Sequence, residues 1–395
     1  MRLAFVVQRY GAEINGGAEL HCRWLAERLA RRHHVEVFTT RALSYVDWAN
    51  AYPAGTTEVG GIPVHRFGVK GRRKARVFAS ISNLVFEGPH TQEEEREWVR
   101  VNGPESPALV QAIAAARERF DVIFFYSYRY YHTFHGLPLV RERAVLVPTA
   151  EEDPVVGLAI FHPLFQMPRG IVYLSPEERA LVEGVSGNAA VPNVTVGSGL
   201  DLPTGSSSAE FRAKHGLARP FLLYVGRIDR NKGCATLFAY FQYFLEQTGI
   251  DVDLVLAGKG ALAIPDHPRI RHVGFIAEDE KVAAMRGAQL LVMPSRYESL
   301  SIVMLEAWKL GTPVLANGRC RVLAGQCQRS GGGLPYDGYA EFREAARALL
   351  ERAHLRDALG RQGREYVERE YSWDRVDATM EGFLERMASA AAPRH

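Results

Sequence analysis

Cysteine is scarce in this 395-residue chain, which has only Cys22, Cys234, Cys320 and Cys327. Only the last two lie close together, and none has histidine neighbours at metal-ligand spacing, so reduced thiols in a cytoplasmic protein are expected rather than a disulfide framework or a metal centre. Long apolar runs are missing as well. No stretch approaches the roughly 18 to 20 uninterrupted apolar residues that would span a bilayer, so any membrane contact is expected to be peripheral. The first ten residues, Met1 to Tyr10, begin like a signal peptide, but Gln8 and Arg9 stop the apolar run and a Gly-rich turn follows. They read as a buried first strand.

An excess of one charge is also absent. Forty-eight Lys and Arg against 45 Asp and Glu leave a formal charge of +3, too little to imply nucleic acid. The one local excess, Lys70-Gly-Arg-Arg-Lys-Ala-Arg76, lacks the aromatic interleaving of a nucleic-acid surface. It reads either as a solvated loop or as a point of attraction for anionic lipid or an anionic acceptor. Solenoid-period repeats and long low-complexity tracts are lacking too.

What is present is a regular alternation of apolar strands and helices in a chain too long for one ordinary core. The first half reads as strands at Leu3 to Val7, Val35 to Thr39, Asp121 to Tyr126, Ala144 to Val147 and Gly170 to Ser175, with helices from about Ala18 to Arg31 and from Pro176. The pattern restarts at Pro220 to Val225 and continues through Val252 to Ala257, Arg271 to Gly274, Leu290 to Met293 and Pro313 to Ala316. Strands alternating with helices predict parallel sheets covered on both faces. The expected organisation is an α/β chain of two doubly wound, Rossmann-like domains: residues 1–198, a Gly/Ser/Pro-rich linker at 199–208, and residues 209–373. A last amphipathic helix, about 374–395, is expected to cross back to the first domain. Ligands in open α/β sheets bind beyond the C-terminal ends of the strands, so an inter-domain cleft lined by the loops after strands is the expected site.

Five such loops carry suggestive chemistry. Gly226-Arg-Ile-Asp-Arg-Asn-Lys-Gly233 puts Arg227 and Lys232 on a Gly-bounded turn before a helix, where two cations and exposed N–H groups suit a diphosphate. It matches neither the Walker loop nor the dinucleotide fingerprint, and a solvated turn with surface cations has the same composition. Gly16 and Gly17, after the first strand, would let backbone approach a ligand closely or simply make a tight turn. Leu256-Ala-Gly-Lys-Gly260, with Gly258 at its centre, and His272-Val-Gly-Phe-Ile276 could border a nucleobase through main-chain groups or be plain loops. Finally, Glu298-Ser-Leu-Ser-Ile-Val-Met-Leu-Glu306 bridges a strand and a helix. At a helical rise of about 1.5 Å per residue its two carboxylates span roughly 12 Å, the reach from a hexose to a ribose across a pyrophosphate. The free N–H groups around Ser299 to Ser301 could receive phosphate.

The order and spacing of Gly226-Arg227…Lys232-Gly233, Gly258-Lys-Gly260, Glu298-x7-Glu306 and Gly311-Thr-Pro-Val314 resemble the retaining nucleotide-sugar glycosyltransferases of glycosyltransferase family 4, which have the GT-B fold. With Gly16-Gly17 and the returning C-terminal helix the resemblance covers nearly the whole chain. It implies Arg227 and Lys232 on the donor diphosphate, Glu306 on the ribose, Glu298 on a hydroxyl of the transferred sugar, and backbone N–H groups at Leu300 and Ser301, beside Ser299, on phosphate or sugar. Gly16 and Gly17 would approach the diphosphate, and Gly226, Gly258 and Ile276 would complete the donor site. It also implies that neither a metal nor a cofactor is needed. Asp251-Val-Asp253, the only Asp-x-Asp, begins a buried strand and reads as structural.

One departure matters. Many relatives carry a His where this chain has Glu151, in Val147-Pro-Thr-Ala-Glu-Glu-Asp-Pro154. Glu151 could accept an acceptor proton, stabilise a cation-like sugar or act as a nucleophile, and it could equally cap a neighbouring turn. His132 and His135 could supply the missing imidazole or pack among aromatic residues. Tyr45, Trp48, Tyr128 and Arg129 are the only hints of an acceptor surface. The implied activity is transfer of a hexose, with retention, from a UDP- or GDP-linked sugar to a hydroxyl of a glycan or lipid-linked acceptor. Cell-surface polysaccharide synthesis, a cytoplasmic location and peripheral contact with the inner membrane surface go with it. A nucleotide-sugar epimerase, and a degraded transferase serving as a scaffold or binding subunit, remain open alternatives.

Overall fold

The structure is a computed structural model that describes residues 1–204 and 207–389. Its contacts divide the chain into two compact units, Met1–Ser198 with the segment from Val376 onward, and Gly199–Arg375.

The first unit is built on strands β1 (Arg2–Val7), β2 (His34–Thr40), β3 (Gly55–Val59), β4 (Ile62–Phe67), β5 (Val122–Tyr126), β6 (Ala144–Val147), β7 (Gly170–Tyr173) and β8 (Asn193–Thr195). They form one sheet in the order β3-β4-β2-β1-β5-β6-β7-β8. The interior strands β1, β5, β6 and β7 are apolar runs buried on both faces, as parallel strands under two helical layers must be. Every pairing is parallel except β3 with β4. This antiparallel edge corrects the all-parallel expectation. Its cause is Gly60-Gly61, a two-residue turn with φ of 60° and 79°, the left-handed backbone that closes a hairpin. Three helices before β5, at Ala75–Glu87, Gln92–Asn102 and Pro107–Ala116, were not resolved by apolar periodicity.

The end of β5 is gripped from two sides. His21, on helix Gly17–Leu29, meets the Tyr126 hydroxyl through Nδ1 at 3.0 Å and the Gly197 carbonyl through Nε2 at 3.1 Å. A carbonyl can only accept, so Nε2 carries the proton and Nδ1 receives the phenol. His132 Nε2 likewise donates to the Tyr126 carbonyl at 3.1 Å. Burial pushes both imidazoles down to about 4, so both are neutral near pH 7.

The helix Trp373–Ser389 brings the chain back to the first unit. Asp377 accepts two hydrogen bonds from Arg28 Nε, at 2.7 and 3.0 Å, and Glu381 pairs with His33 at 3.0 Å. Phe383 and Met387 seat so closely on Gly170 that an added Cβ would lie 2.7 Å from the Phe383 ring. Residues 390–395 of the expected helix lie outside the described residues.

The second unit has β9 (Phe221–Val225), β10 (Asp253–Ala257), β11 (Ile270–Gly274), β12 (Leu290–Met293), β13 (Val314–Asn317) and β14 (Gly333–Tyr336). All are parallel, in the order β11-β10-β9-β12-β13-β14, so the winding reverses between β9 and β12. Such a reversal leaves a crevice beyond the strand ends. The linker composition hides packing. A Cβ on Gly199 would lie 2.2 Å from the Trp373 ring, Leu200 is buried, and its carbonyl accepts from Lys309. Ser207 and Glu210 form a capping box for helix Ser208–Lys214, while Gly205 and Ser206 lie outside the described residues. All four cysteines are buried free thiols.

The neutral imidazoles set a pH dependence. An unfolded histidine binds its proton near pH 6.5, whereas His21 and His132 resist it down to about 4 in the fold. Their stabilisation is therefore present above about pH 6.5 and is lost as pH falls toward 4, at about 1.4 kcal/mol per unit of pKa difference for each group. Urea unfolding at stepped pH should show that decline. His132→Gln, which keeps a side-chain N–H and cannot titrate, should flatten it; an unchanged slope would refute the assignment.

Candidate functional site

The reversal point gathers the two loops that hold most of the candidate donor residues. After β9 the chain runs through Gly226 and Arg227 to Gly233, which starts helix Cys234–Thr248 in left-handed backbone with φ of 75°. A Cβ there would lie 2.1 Å from the Pro294 carbonyl oxygen, so only glycine lets this loop close onto the one that follows β12. That approach carries Lys232 to Glu298: its Nζ donates to Glu298 Oε1 at 2.7 Å, with both side chains largely buried. The Lys232 backbone N–H is fixed on Asp229 Oδ1 at 2.8 Å. Asp229 also sits 3.3 Å from Arg227, whose side chain is 43% exposed, so one carboxylate on the turn contacts the Arg227 guanidinium and the Lys232 backbone. The loop after β12 is tied down in turn: Asn317 donates to the Pro294 and Ser295 carbonyls at 3.3 and 3.2 Å, and Gln326 donates to the Leu300 carbonyl at 2.7 Å.

Ser299 is half-buried and Leu300 and Ser301 are buried. Ser301 starts helix Ile302–Lys309 from left-handed backbone with φ of 61°, and its hydroxyl caps nothing. A non-glycine residue in this region is strained by about 1–3 kcal/mol, a cost that tends to gather at ligand-binding turns. The first N–H groups of the helix have no intrahelical partner and point out of its end.

Glu306 is placed differently from Glu298. It is 1% exposed, and Lys281 Nζ lies 2.9 Å from both of its oxygens. Lys281 also pairs with Glu278 at 2.7 Å, in the first turn of helix Glu278–Gly287. Burial pushes the Glu306 carboxyl up and Lys281 opposes it; the two flanking carboxylates hold Lys281 above the ordinary lysine range. Thus the two glutamates of the motif each answer to a different lysine. Lys281 has no signature in the sequence beyond its place in a helix turn.

The ends of β9, β10 and β11 are glycines held close together. Gly226 N–H donates to Ala257, and Gly258 N–H donates to Gly274. A Cβ on Gly258 would lie 1.9 Å from the Gly226 carbonyl oxygen. Ile276 is half-buried beside Phe275, which is 59% exposed with Lys259 5.6 Å from its ring. An exposed aromatic face at this edge is a stacking surface for a planar ring. The Asp251-x-Asp253 pair lies at the opposite end of the sheet, where Asp251 binds Arg219 and Arg269 at 2.9 and 2.5 Å.

In the first unit, Gly16 caps helix Gly17–Leu29 with an ordinary φ of −69°, and a Cβ on Gly17 would meet nothing within 4 Å. No internal contact demands glycine at Gly17. Beside it Arg9 and Glu19 form a 2.6 Å ion pair that sequence reasoning missed. Glu151 is half-buried in the loop after β6. Arg129 Nη2 lies 3.7 Å from it, while Arg129 Nη1 donates to Asp153 at 2.8 Å. Two further ties hold this loop. Ser127 and Thr149, both at positive φ, share a 2.7 Å hydroxyl contact. The buried Glu178 carboxylate accepts the N–H of Ala150 at 2.6 Å and of Leu174 at 2.5 Å. Burial pushes Glu178 up to about 8.

Several hints fail here. His132 is buried on the Tyr126 carbonyl, and the exposed His135 packs with ring centroids 4.3 Å apart against Tyr131 in the helix after β5. Trp48 and Tyr128 are 1% and 0% exposed, core residues rather than an acceptor surface. Their aromatic character was visible in the sequence, but their exposure was not.

The Lys281–Glu306 pair predicts its own energetics. Lys281→Met leaves a buried carboxylate without its counter-charge and should cost about 3–5 kcal/mol in denaturant unfolding, whereas Lys281→Met with Glu306→Leu should recover most of that loss.

Residues 207–366 match the model of the family described as glycosyl transferases group 1. An alpha-D-kanosaminyltransferase of Streptomyces kanamyceticus is 34% identical over 134 residues, 30% of this chain and 33% of that protein. The chain spans between 33% and 52% of the length of the curated relatives it matches first. Among solved structures, sucrose-phosphate synthase of Thermosynechococcus elongatus aligns over 99% of this chain and 100% of its own, with TM-score 0.71 and 20% identity. HepE of Anabaena, in complex with UDP and glucose, aligns over 98% and 100%, with TM-score 0.70 and 16% identity. Residues 207–366 thus match the glycosyl transferases group 1 family, within a chain whose fold is the GT-B fold of these solved structures.

Proposed function

We propose that this chain is a retaining hexosyltransferase that needs neither metal nor cofactor and moves a hexose from a UDP- or GDP-linked sugar to a hydroxyl of a glycan or lipid-linked acceptor. The observation that carries this reading is the Lys232–Glu298 contact beside Arg227 at the reversal of the second sheet. Arg227 and Lys232 bind the diphosphate. As the bond from the anomeric carbon to the diphosphate oxygen breaks, the growing negative charge is met by these two cations and by the free N–H groups at Leu300, Ser301 and the helix start. Glu298 fixes Lys232 through one oxygen and offers its remaining acceptor capacity to a sugar hydroxyl. The acceptor oxygen bonds to the anomeric carbon on the face that the diphosphate leaves, and its proton passes to the departing phosphate.

Glu306 takes the ribose, and the exposed Phe275 ring beside Ile276 and Gly258 borders the base. In the first unit Glu151, with Arg129 at 3.7 Å, stabilises positive charge on the sugar. Gly17 leaves open space for a phosphate to approach backbone, next to Gly16 at the helix start. Support for a UDP-type donor comes from the UDP and glucose bound by HepE, and support for transfer comes from the family of residues 207–366. Assembly of cell-surface polysaccharide, on the cytoplasmic side of the membrane, is the setting we propose.

Arg227→Ala and Glu298→Gln should each lower kcat/KM for transfer by about 100-fold or more. UDP or GDP, and the matching sugar conjugate, should raise the melting temperature of the wild type. Donor turnover that survives both substitutions would overturn the assignment of the site. Conversion of the donor without any acceptor would favour an epimerase, and donor binding without turnover would favour a scaffold.

A further inference from the structure

The basic cluster of the first unit lies outside the candidate donor residues. Lys70 to Lys74 form the loop after β4, and Arg76 lies in the first turn of helix Ala75–Glu87. This helix starts against its own electrostatics: Lys74 is the N-cap, no side chain caps the free N–H groups, and the first turn contains no acidic residue. A helix N-terminus carries partial positive charge and normally attracts an acid. Here Lys74 and Arg76 add to it instead and make no ion pair among the described residues. Lys70 and Arg72 have only loose partners, Glu105 and Asp47, each 3.7 Å away, and are themselves 77% and 72% exposed.

Apolar side chains surround these cations. Of the eight large apolar side chains that are exposed among the described residues, Val77 and Leu84 lie on this helix and Leu43 and Val46 in the loop after β2. Val77 and Leu84 are seven residues apart, two helical turns on one face, and only Val85 of the helix is fully buried. Arg73 fastens the loop after β2 to the start of this helix. Its Nε donates to the Val46 carbonyl at 2.9 Å, its backbone N–H donates to the Asp47 carbonyl at 2.9 Å, and its guanidinium lies 5.2 Å from Trp48 and 4.7 Å from Phe78. Arg73 is therefore spent on structure, and it holds Val46 beside the exposed cations. No helix among the described residues is long and apolar enough to cross a membrane. A helix with exposed apolar side chains and cations at its N-terminal end is suited to lying on one.

We propose that the loop Leu43–Trp48 and helix Ala75–Glu87 form a docking surface for an anionic lipid bilayer, with Val46, Val77 and Leu84 entering the interface and Lys70, Arg72, Lys74 and Arg76 meeting the headgroups. Anionic headgroups satisfy the open helix N-terminus, and the acyl boundary covers the apolar face. The surface follows β2 and β4, which run parallel to β1, β5 and β6, so it lies on the same sheet edge as the Gly16, Arg129 and Glu151 loops. A lipid-linked acceptor would therefore meet that edge where it touches the membrane.

The test is co-sedimentation of the full chain with vesicles of phosphatidylcholine alone or mixed with phosphatidylglycerol. It reads partition rather than turnover, so it stands or falls separately from the transferase reading. The wild type should sediment with the anionic vesicles, and release in about 1 M salt is expected because screening contracts to about 3 Å. Lys74→Glu with Arg76→Glu, and separately Val77→Ser with Leu84→Ser, should each lower partition about tenfold or more. Melting temperature and its shift by donor nucleotide, unchanged in both variants, would show that the fold is intact. Equal partition on neutral and anionic vesicles, undiminished binding by the charge-reversed variant, or self-association that buries Val77 and Leu84 would each overturn the proposal.

Discussion

A parallel sheet sends every strand the same way, and one reversal of winding makes two adjacent strands shed their loops to opposite sides. In the second unit that constraint falls between β9 and β12. It requires a backbone approach that only Gly233 permits, and from that approach follows the meeting of Lys232 with Glu298. The residues around it serve to keep this contact in place: Asp229 holds the Lys232 backbone, Asn317 and Gln326 hold the loop after β12, and the glycines closing β9 and β10 pack backbone on backbone. Such a site is stiff because it is main chain against main chain, and side chains would only prop it apart.

The first unit solves the same problem with buried polar groups instead of glycine. The loops after β5, β6 and β7 are cross-tied by Ser127 with Thr149 and by Glu178, which receives N–H groups from two of them. Tyr126 is fixed at its hydroxyl and its carbonyl by two neutral histidines. These ties, together with the Arg129 contacts to Asp153 and Glu151, hold the loop that carries Glu151.

The alternation of apolar strands and helices was legible along most of the chain because β1, β5, β6, β9, β10 and β12 are uninterrupted runs that nothing else explains. The edge hairpin was written in Gly60-Gly61 but is short and polar, so apolar periodicity passed over it. The spacing of Glu298 and Glu306 could be read directly, but their partners could not. Lys232 is 66 residues from Glu298 and Lys281 is 25 from Glu306, and contacts of that range exist only once strand order is known. Aromatic residues misled for the opposite reason: Trp48 and Tyr128 look like surface chemistry in a sequence and are core in the fold, because a buried indole or phenol is as common as an exposed one. Arg73 shows the same limit from the other side, a member of a charge run whose neighbours face water while it holds two segments together.

All four cysteines are buried thiols, one in the first unit and three in the second. In the native state they are hidden from any reagent that needs a thiolate in solvent, so each can react only when its surroundings open. Cys22 lies on the helix that also carries His21, while Cys320 starts, and Cys327 lies within, the helix Arg321–Ser330 that supplies Gln326 to the loop after β12. The chain therefore contains internal clocks, one for the loosening of the first unit and others for the second, which tick at rates set by local opening rather than by thiol chemistry.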